Sequence, residues 1–346
     1  MNALKADAEF LAEAVKLAER GLGHTRPNPA VGAVIVKDGE IIGRGWHKKA
    51  GGDHAEVAAI KNALACGADV KKSSRAARLK GSTIYVTLEP CSRAGRVGAC
   101  TDAIADAGIA RVVYAISDPN PANRGRAKRV LAKRGIKCER FRGDRKLIAR
   151  CDDLIKAFRK HILTSLPYLT VKIAMSLDGR ICDCRGGANW ISSPASRDRT
   201  NRIRETVDAI MVGAQTVRKD DPSLLARRKP NRDLVRVVVS KSGNLPENAQ
   251  IFTDGKNRTL VFDDARKALV ELGKMGITSV LCEGGLNLAA SLAEEGFVDE
   301  WLAVTAPVFI GRSEISNALR GTAIRGKCLM VENDSFFSVA LSEYAR

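Results

Sequence analysis

Apolar residues recur at helical spacing over residues 3–20. Leu4, Leu11, Val15 and Ala18 share one face there, and Gly21 with Gly23 follow as a stop signal, which predicts an opening amphipathic helix. Two β-rich runs, 30–36 and Glu40–Trp46, flank Lys37-Asp38-Gly39, an Asp-Gly turn that argues for a hairpin. The pattern then predicts a helix over 54–66, a strand over Thr83–Leu88 and a helix over 101–107. A strand over Arg111–Ile116, a helix over 124–134 and a strand over 136–141 complete an α/β layered first half. Between these elements, residues 67–80 carry Lys71, Lys72, Arg75, Arg78 and Lys80 and read as a solvated basic connection.

Polar helical sequence around 140–160 leads to Pro167, and a new sheet pattern begins at Tyr168. The expected domains are therefore 1–146 and 147–346. The second half alternates strands (168–174, Ala209–Gly213, 234–240, Thr259–Phe262, Ser279–Cys282) with helices (194–206, 264–275, 286–295). It ends in short strand-like runs, as a second α/β domain would. No internal repeat or low-complexity segment is visible.

A chain of 346 residues with 45% apolar and 28% charged residues has room for two ordinary cores without disulfide staples. Charges at Lys5, Asp7, Glu9, Glu13, Lys16, Glu19 and Arg20 interrupt what would be the apolar centre of a secretory signal. Nine cysteines, an odd number without small-domain spacing, suit a reducing compartment, so a cytoplasmic location is expected. The net charge is +18, with 27 basic against 15 acidic residues through position 145 and 30 against 24 after it. Anionic partners follow from that sign, nucleic acids or small phosphorylated molecules alike. Aromatics are only 5%, fewer than single-strand binding platforms need, which disfavours nucleic acid.

The first half carries one constellation with chemistry. His54-Ala55-Glu56 opens a predicted helix, and Pro90-Cys91 with Cys100 brackets the end of a strand and the start of another helix. One imidazole and two thiolates leave the fourth position of a tetrahedral zinc open to water, as a catalytic site requires. Glu56, two residues past the histidine, is not a ligand but can move a proton from water to a leaving amine. Zinc-dependent base deaminases pair His-x-Glu with Pro-Cys-x-x-Cys. Here eight residues, from Ser92 to Ala99, separate the cysteines where that signature has two.

Those residues, with Pro27-Asn28-Pro29-Ala30-Val31-Gly32, Tyr85-Val86-Thr87-Leu88-Glu89-Pro90-Cys91-Ser92 and Asp118-Pro119-Asn120-Pro121, resemble the bifunctional riboflavin-biosynthesis deaminase/reductase family over nearly the whole length. The long cysteine spacing matches this family and not the tRNA or cytidine deaminases. The resemblance implies a cytidine-deaminase-like three-layer α/β/α domain followed by a dihydrofolate-reductase-like α/β domain. It implies zinc on His54, Cys91 and Cys100, Glu56 as proton shuttle, and Asn28 at the substrate ring. Without it, an Asn between two prolines is a turn residue. Arg93-Ala94 and Val97-Gly98-Ala99 stand where the family usually has histidines and Thr-Pro-Pro, a departure in the substrate-facing loop.

No Gly-x-Gly-x-x-Gly follows a strand in the second half, so a Rossmann fingerprint is absent. Glu283-Gly284-Gly285, between a strand and a helix, could admit a phosphate to free N–H donors or be a plain turn. Residues 172–180, Trp190-Ile191-Ser192-Ser193 and Asp220-Asp221-Pro222 also resemble the family's reductase domain, which implies NADPH. Carried over by position, Ala174, Trp190, Thr216, Asp220, Ser240, Lys241, Gly285, Leu286, Asn287, Leu288, Ala289, Ala290 and Ser291 bind cofactor. Ala188, Arg204, Leu224, Arg227 and Glu283 bind a ribose-phosphate substrate, with Arg204 and Arg227 as forks for phosphate. Lys172, Asp220 and Glu283 are the reductase's candidate proton-relay groups. Plain alternatives remain: Lys172 snorkelling, Arg204 on a solvated helix face, Trp190 as core. Cys182-Asp183-Cys184 lacks further ligands and reads as two free thiols.

The function that the resemblance implies is zinc-dependent deamination of 2,5-diamino-6-(5-phosphoribosylamino)pyrimidin-4(3H)-one. NADPH-dependent reduction of the ribosyl group of 5-amino-6-(5-phosphoribosylamino)uracil to ribityl then follows. A reductase with a weakened deaminase domain and a nucleic-acid base deaminase with a basic appended domain are the alternatives. A homo-oligomer is expected from the resemblance alone.

Overall fold

The structure is a computed structural model that describes residues 3–65, 78–93, 98–177, 179–181, 191–228 and 233–308, with the backbone of 327–331 and 334–340. It divides into two units, 1–164 and 165–346.

In the first unit a five-stranded sheet runs in the order β2-β1-β3-β4-β5. Strands β1 (Gly32–Lys37) and β2 (Glu40–Trp46) form the expected hairpin, with Asp38 and Gly39 at φ 51° and 82° in the turn. Strand β3 (Thr83–Leu88) pairs antiparallel with β1, while β4 (Arg111–Ile116) and β5 (Lys137–Arg140) extend the sheet in parallel. Alternating strand residues feed two cores. Ala33, Ile35, Ile84 and Val86 pack against helices α2 (Ala55–Ala65), α3 (Cys100–Asp106) and α4 (Arg126–Ala132). Val34, Val36 and Tyr85 pack against α1 (Ala3–Glu19) and α5 (Arg145–Thr164). This is the expected three-layer α/β/α sandwich.

Two expectations shift. Leu11, Val15 and Ala18 are buried, Leu11 and Val15 contributing roughly 1.5–3 kcal/mol each, but Leu4 is 54% exposed, in the first turn of the helix. The division of the chain falls after α5 rather than at 146/147, because Leu147, Cys151 and Ile155 of that helix close the core under α1. The basic connection 67–80 lies mostly outside the described residues.

The second unit holds an eight-stranded sheet in the order β12-β13-β11-β6-β10-β7-β8-β9. Strands β6 (Tyr168–Ser176), β7 (Ala209–Gly213), β8 (Val235–Val239), β9 (Thr259–Phe262), β10 (Ser279–Cys282) and β11 (Glu300–Ala306) are mutually parallel. An antiparallel edge of β12 (Lys327–Val331) and β13 (Asp334–Ala340) pairs with β11. Helices α6 (Pro194–Arg204), α7 (Ala214–Asp220), α8 (Gln250–Thr253), α9 (Ala265–Lys274) and α10 (Leu286–Glu294) flank it. The short α7 and α8 were not expected. Ligands of such sheets sit beyond the carboxyl ends of the parallel strands, where Glu283, Thr216 and Ser240 lie.

Candidate metal centre and second site

Strand β2 delivers His47, and the chain then turns into α2 at His54. Helix α2 lies so close on β2 that a Cβ on Gly45 would sit 2.2 Å from the Ala59 backbone nitrogen and 2.4 Å from the Ala55 carbonyl oxygen. Glycine is what permits this approach. It brings His54 and the buried Glu56, in the first turn of α2, against the carboxyl end of β3. There His54 Nδ1 lies 3.2 Å from Cys100 Sγ and 3.5 Å from Cys91 Sγ, and the two sulfurs are 3.2 Å apart. Tetrahedral zinc with Zn–S near 2.3 Å and Zn–N near 2.0 Å separates its ligands by about 3.5–3.8 Å; the three donors stand slightly closer than that, and one imidazole with two thiols is a donor set that zinc takes.

Hydrogen bonding with Cys100, then with His54, pulls the Cys91 thiol well down, while the Cys100 thiol is pushed up by its bond with Cys91 and by burial. Hydrogen bonding to Cys91 raises His54. Burial, then the charge on Cys91, lifts the Glu56 carboxyl to about 7, the range a proton shuttle needs.

His47 was not singled out by the sequence. It is 3% exposed, its ring stands edge-on to His54 at 5.4 Å, and burial lowers its pKa, so it is neutral near pH 7. Its Nε2 lies 3.1 Å from Asn28 Nδ2, in a turn that Thr25 closes through Oγ1 to the Asn28 carbonyl at 2.9 Å. No motif flagged His47, because a lone histidine after a strand carries no spacing signal. Arg93 of the departing loop is exposed, and 94–97 lie outside the described residues.

In the second unit, Glu283 follows β10, whose Cys282 pairs with Val171 of β6, so Glu283 sits beside Lys172. Arg204 Nε donates to Glu283 Oε1 at 2.6 Å and Nη2 to Oε2 at 3.0 Å, with side chains 16% and 10% exposed. This fork was expected to grip phosphate. Here Nε and Nη2 meet the carboxylate, and Nη1 reaches the Leu225 carbonyl at 3.4 Å. Burial favours the neutral acid at Glu283, but the charges and hydrogen bonds of Arg204, then the charge of Lys172, outweigh it and hold the pKa down. Burial lowers Lys172 against the pull of Glu283.

Other candidates are spread along the strand ends. Ala174 and Thr216 are half-buried, and Asp220, Lys241 and Arg227 are exposed. Ser240 is buried and its Oγ has no hydrogen-bond partner among the described residues, as a group awaiting a ligand would be. Gly284 is packed so that a Cβ would lie 2.8 Å from Leu288 Cδ2, and Gly285 caps α10 with no side chain on its first N–H groups. That end fits an anion. Gly285 and Asn287 are exposed, while Leu286, Leu288, Ala290 and Ser291 are half-buried. Ala289 and Leu224 are not presented by their side chains, because both pack in the core. Ala188, Trp190, Cys182 and Cys184 lie outside the described residues.

Comparison with known proteins agrees with both halves. Residues 4–116 match the cytidine and deoxycytidylate deaminase zinc-binding region, and 167–335 match the RibD C-terminal domain. Riboflavin biosynthesis protein RibD of Escherichia coli is 35% identical over 341 residues, covering 88% of this chain and 89% of that protein. The RibD of Aquifex aeolicus is 33% identical over 333 residues, covering 88% of each. A diaminohydroxyphosphoribosylaminopyrimidine deaminase/5-amino-6-(5-phosphoribosylamino)uracil reductase from Thermotoga maritima superposes with a TM-score of 0.86 at 30% identity, over 97% of this chain and 99% of that one. Acinetobacter baumannii RibD gives 0.80 at 32% identity, with the same coverage. With both halves matched in order and over most of their length, the chain belongs to the RibD family of riboflavin biosynthesis proteins.

Proposed function

We propose that the chain deaminates 2,5-diamino-6-(5-phosphoribosylamino)pyrimidin-4(3H)-one in its first unit and reduces the resulting ribosyl uracil to the ribityl compound in its second. The observation that carries the first activity is the convergence of His54, Cys91 and Cys100 beside a buried Glu56. Those three residues would hold a zinc ion, which would supply the Lewis acid that makes water nucleophilic near neutral pH. Glu56 takes a proton from the attacking water and returns it to the exocyclic amine as the C–N bond breaks and ammonia leaves. Asn28, oriented by His47, holds the pyrimidine ring.

In the second unit, Ser240 and the turn Gly284-Gly285 at the start of α10 are proposed to hold NADPH, which supplies the hydride. Lys172, its pKa lowered by burial, is the proton donor beside Glu283. Arg204 fixes the carboxylate of Glu283, and exposed Arg227 is left to meet the substrate phosphate. The complete ligand set argues against a weakened deaminase, and the reductase half argues against a nucleic-acid deaminase. Among the described residues no helix is long and apolar enough to cross a membrane. Cys138, Cys151 and Cys282 are buried thiols outside the metal site, and a cytoplasmic location is part of this proposal.

The test is the purified protein with the diaminopyrimidine phosphate and NADPH, following ammonia and NADPH together. One ammonia released and one NADPH oxidised per substrate is the expected result. NADPH oxidation on the deaminated substrate without any ammonia release from the diamine would overturn the first half.

A further inference from the structure

Cys91 is the metal ligand with the least secondary structure around it, since β3 ends at Leu88 and α3 starts only at Cys100. Its own carbonyl accepts from the Thr101 backbone N–H at 3.1 Å, and its sulfur accepts from the Cys100 backbone N–H at 3.3 Å. Those contacts hold Cys91 from the α3 side. The peptides that flank it are held from another direction by one side chain, Asn123, in the turn before α4.

Asn123 is 5% exposed. Its Oδ1 accepts from both the backbone N–H and the hydroxyl of Ser92, each at 2.8 Å. Its Nδ2 donates to Asp118 Oδ2 at 2.8 Å and reaches the Pro90 carbonyl at 3.5 Å. One amide thus touches the residue before Cys91 and the residue after it. The loop that carries it is itself fixed: Asp118 Oδ1 accepts from the Asn120 backbone N–H at 2.8 Å. Glu89 accepts from the backbone N–H groups of Asp118, Gly125 and Ala127 at 3.2, 3.0 and 3.2 Å.

We propose that Asn123 is a positioning residue for the metal centre, setting the placement of Cys91 Sγ through Ser92 and Pro90. This rests on the reading of Cys91 as a zinc ligand. The chemistry requires an amide at 123. Alanine leaves the Ser92 donors and Asp118 without their partner, and aspartate replaces the donor to Asp118 with a second carboxylate oxygen at hydrogen-bonding distance. Groups that orient a metal's ligands are worth roughly ten- to hundredfold in metal affinity.

The experiment uses the full chain as Asn123→Ala, Asn123→Asp and Ser92→Ala, with zinc affinity read by competition against a chromophoric chelator. The cobalt(II)-substituted proteins are read by their thiolate charge-transfer and ligand-field bands. Expected are a ten- to hundredfold loss of zinc affinity in both Asn123 variants and displaced cobalt bands. Ser92→Ala, which removes one of the two donors to Oδ1, should shift the bands less and in the same direction. NADPH oxidation on the deaminated substrate should stay unchanged throughout. Wild-type affinity and wild-type cobalt bands in a folded Asn123→Ala protein, even with a lowered unfolding temperature, would reduce Asn123 to a structural role and overturn the proposal. Should that variant not fold, unchanged bands in Ser92→Ala overturn it equally. A wild-type protein that binds neither metal would instead overturn the ligand reading beneath it.

Discussion

Asn28 Nδ2 lies 3.1 Å from His47 Nε2, while His47 Nδ1 lies 2.9 Å from the carbonyl oxygen of Asp53. A carbonyl can only accept, so Nδ1 carries the proton and Nε2 accepts from the Asn28 amide. The amide of Asn28 is thereby oriented, and its Oδ1 is the acceptor left for a ring N–H. Asn28→Asp removes the donor to Nε2 and should raise KM for deamination about tenfold, equivalent to about 1.4 kcal/mol, with zinc content unchanged. His47→Ala should do the same, and the double variant should be hardly worse than either single one. Steady-state ammonia release checks this, and fully additive losses would contradict the pairing.

The metal and the proton shuttle separate by mutation. Cys91→Ala should lose the bound zinc and all deamination. Glu56→Gln should keep about one zinc and lose a factor of about 10² to 10⁴ in deamination rate. Each unit has its own core, so in both variants NADPH oxidation on the deaminated substrate should remain within twofold of wild type. Metal analysis beside the two assays decides the matter, and dialysis against a chelator should reproduce the Cys91→Ala pattern reversibly.

Arg204→Lys keeps the charge beside Glu283 but loses the two parallel N–H···O bonds. NADPH oxidation should fall at least tenfold while ammonia release is untouched. A wild-type rate would show that Glu283 needs only a neighbouring charge and no fixed orientation.

The pair Arg236–Asp254 gives the protein a pH-dependent share of its stability. Arg236 is 2% exposed and its guanidinium donates to both oxygens of Asp254, at 2.7 and 2.9 Å, as well as to the carbonyls of Ser223 and Asn257. The hydrogen bonds from Arg236 hold Asp254 below the usual carboxylate range. A folded pKa below the unfolded one means stability present above about pH 4 and lost as pH falls through that depressed value. Asp254→Asn should therefore cost about 3 kcal/mol near neutrality, because it leaves a buried guanidinium unpaired. The difference from wild type should narrow on acidification, as denaturant melts at several pH values would reveal. A pH-independent difference would contradict the assignment.

The parts of the site legible in the sequence were those fixed by local spacing. His54 and Glu56 share a helix start, Cys91 follows a strand and Cys100 opens a helix, and those positions follow from patterning plus ligand chemistry. What escaped depends on contacts between distant loops. His47 meets Asn28 across 19 positions and Asn123 meets Ser92 across 31, and neither separation has a period to detect. Arg204 was read as a fork, and the sequence does not show that Glu283, 79 residues later, meets its Nε and Nη2. Helix α5 was visible as polar helical sequence, but its allegiance was not. Leu147, Cys151 and Ile155 define a narrow apolar stripe whose destination only the packing reveals.

That stripe sets how the two activities can be taken apart. A cut chosen from the sequence pattern, at 146, would strip the deaminase of one wall of its interior and leave Val113, Ala115 and Phe141 facing water. The same cut would burden the reductase with an orphaned amphipathic helix. Dissection belongs at Ser165, whose backbone turns at φ 62° immediately after the helix ends. Anyone grafting either catalyst onto another scaffold should treat residues 145–164 as part of the zinc enzyme's body and not as a tether.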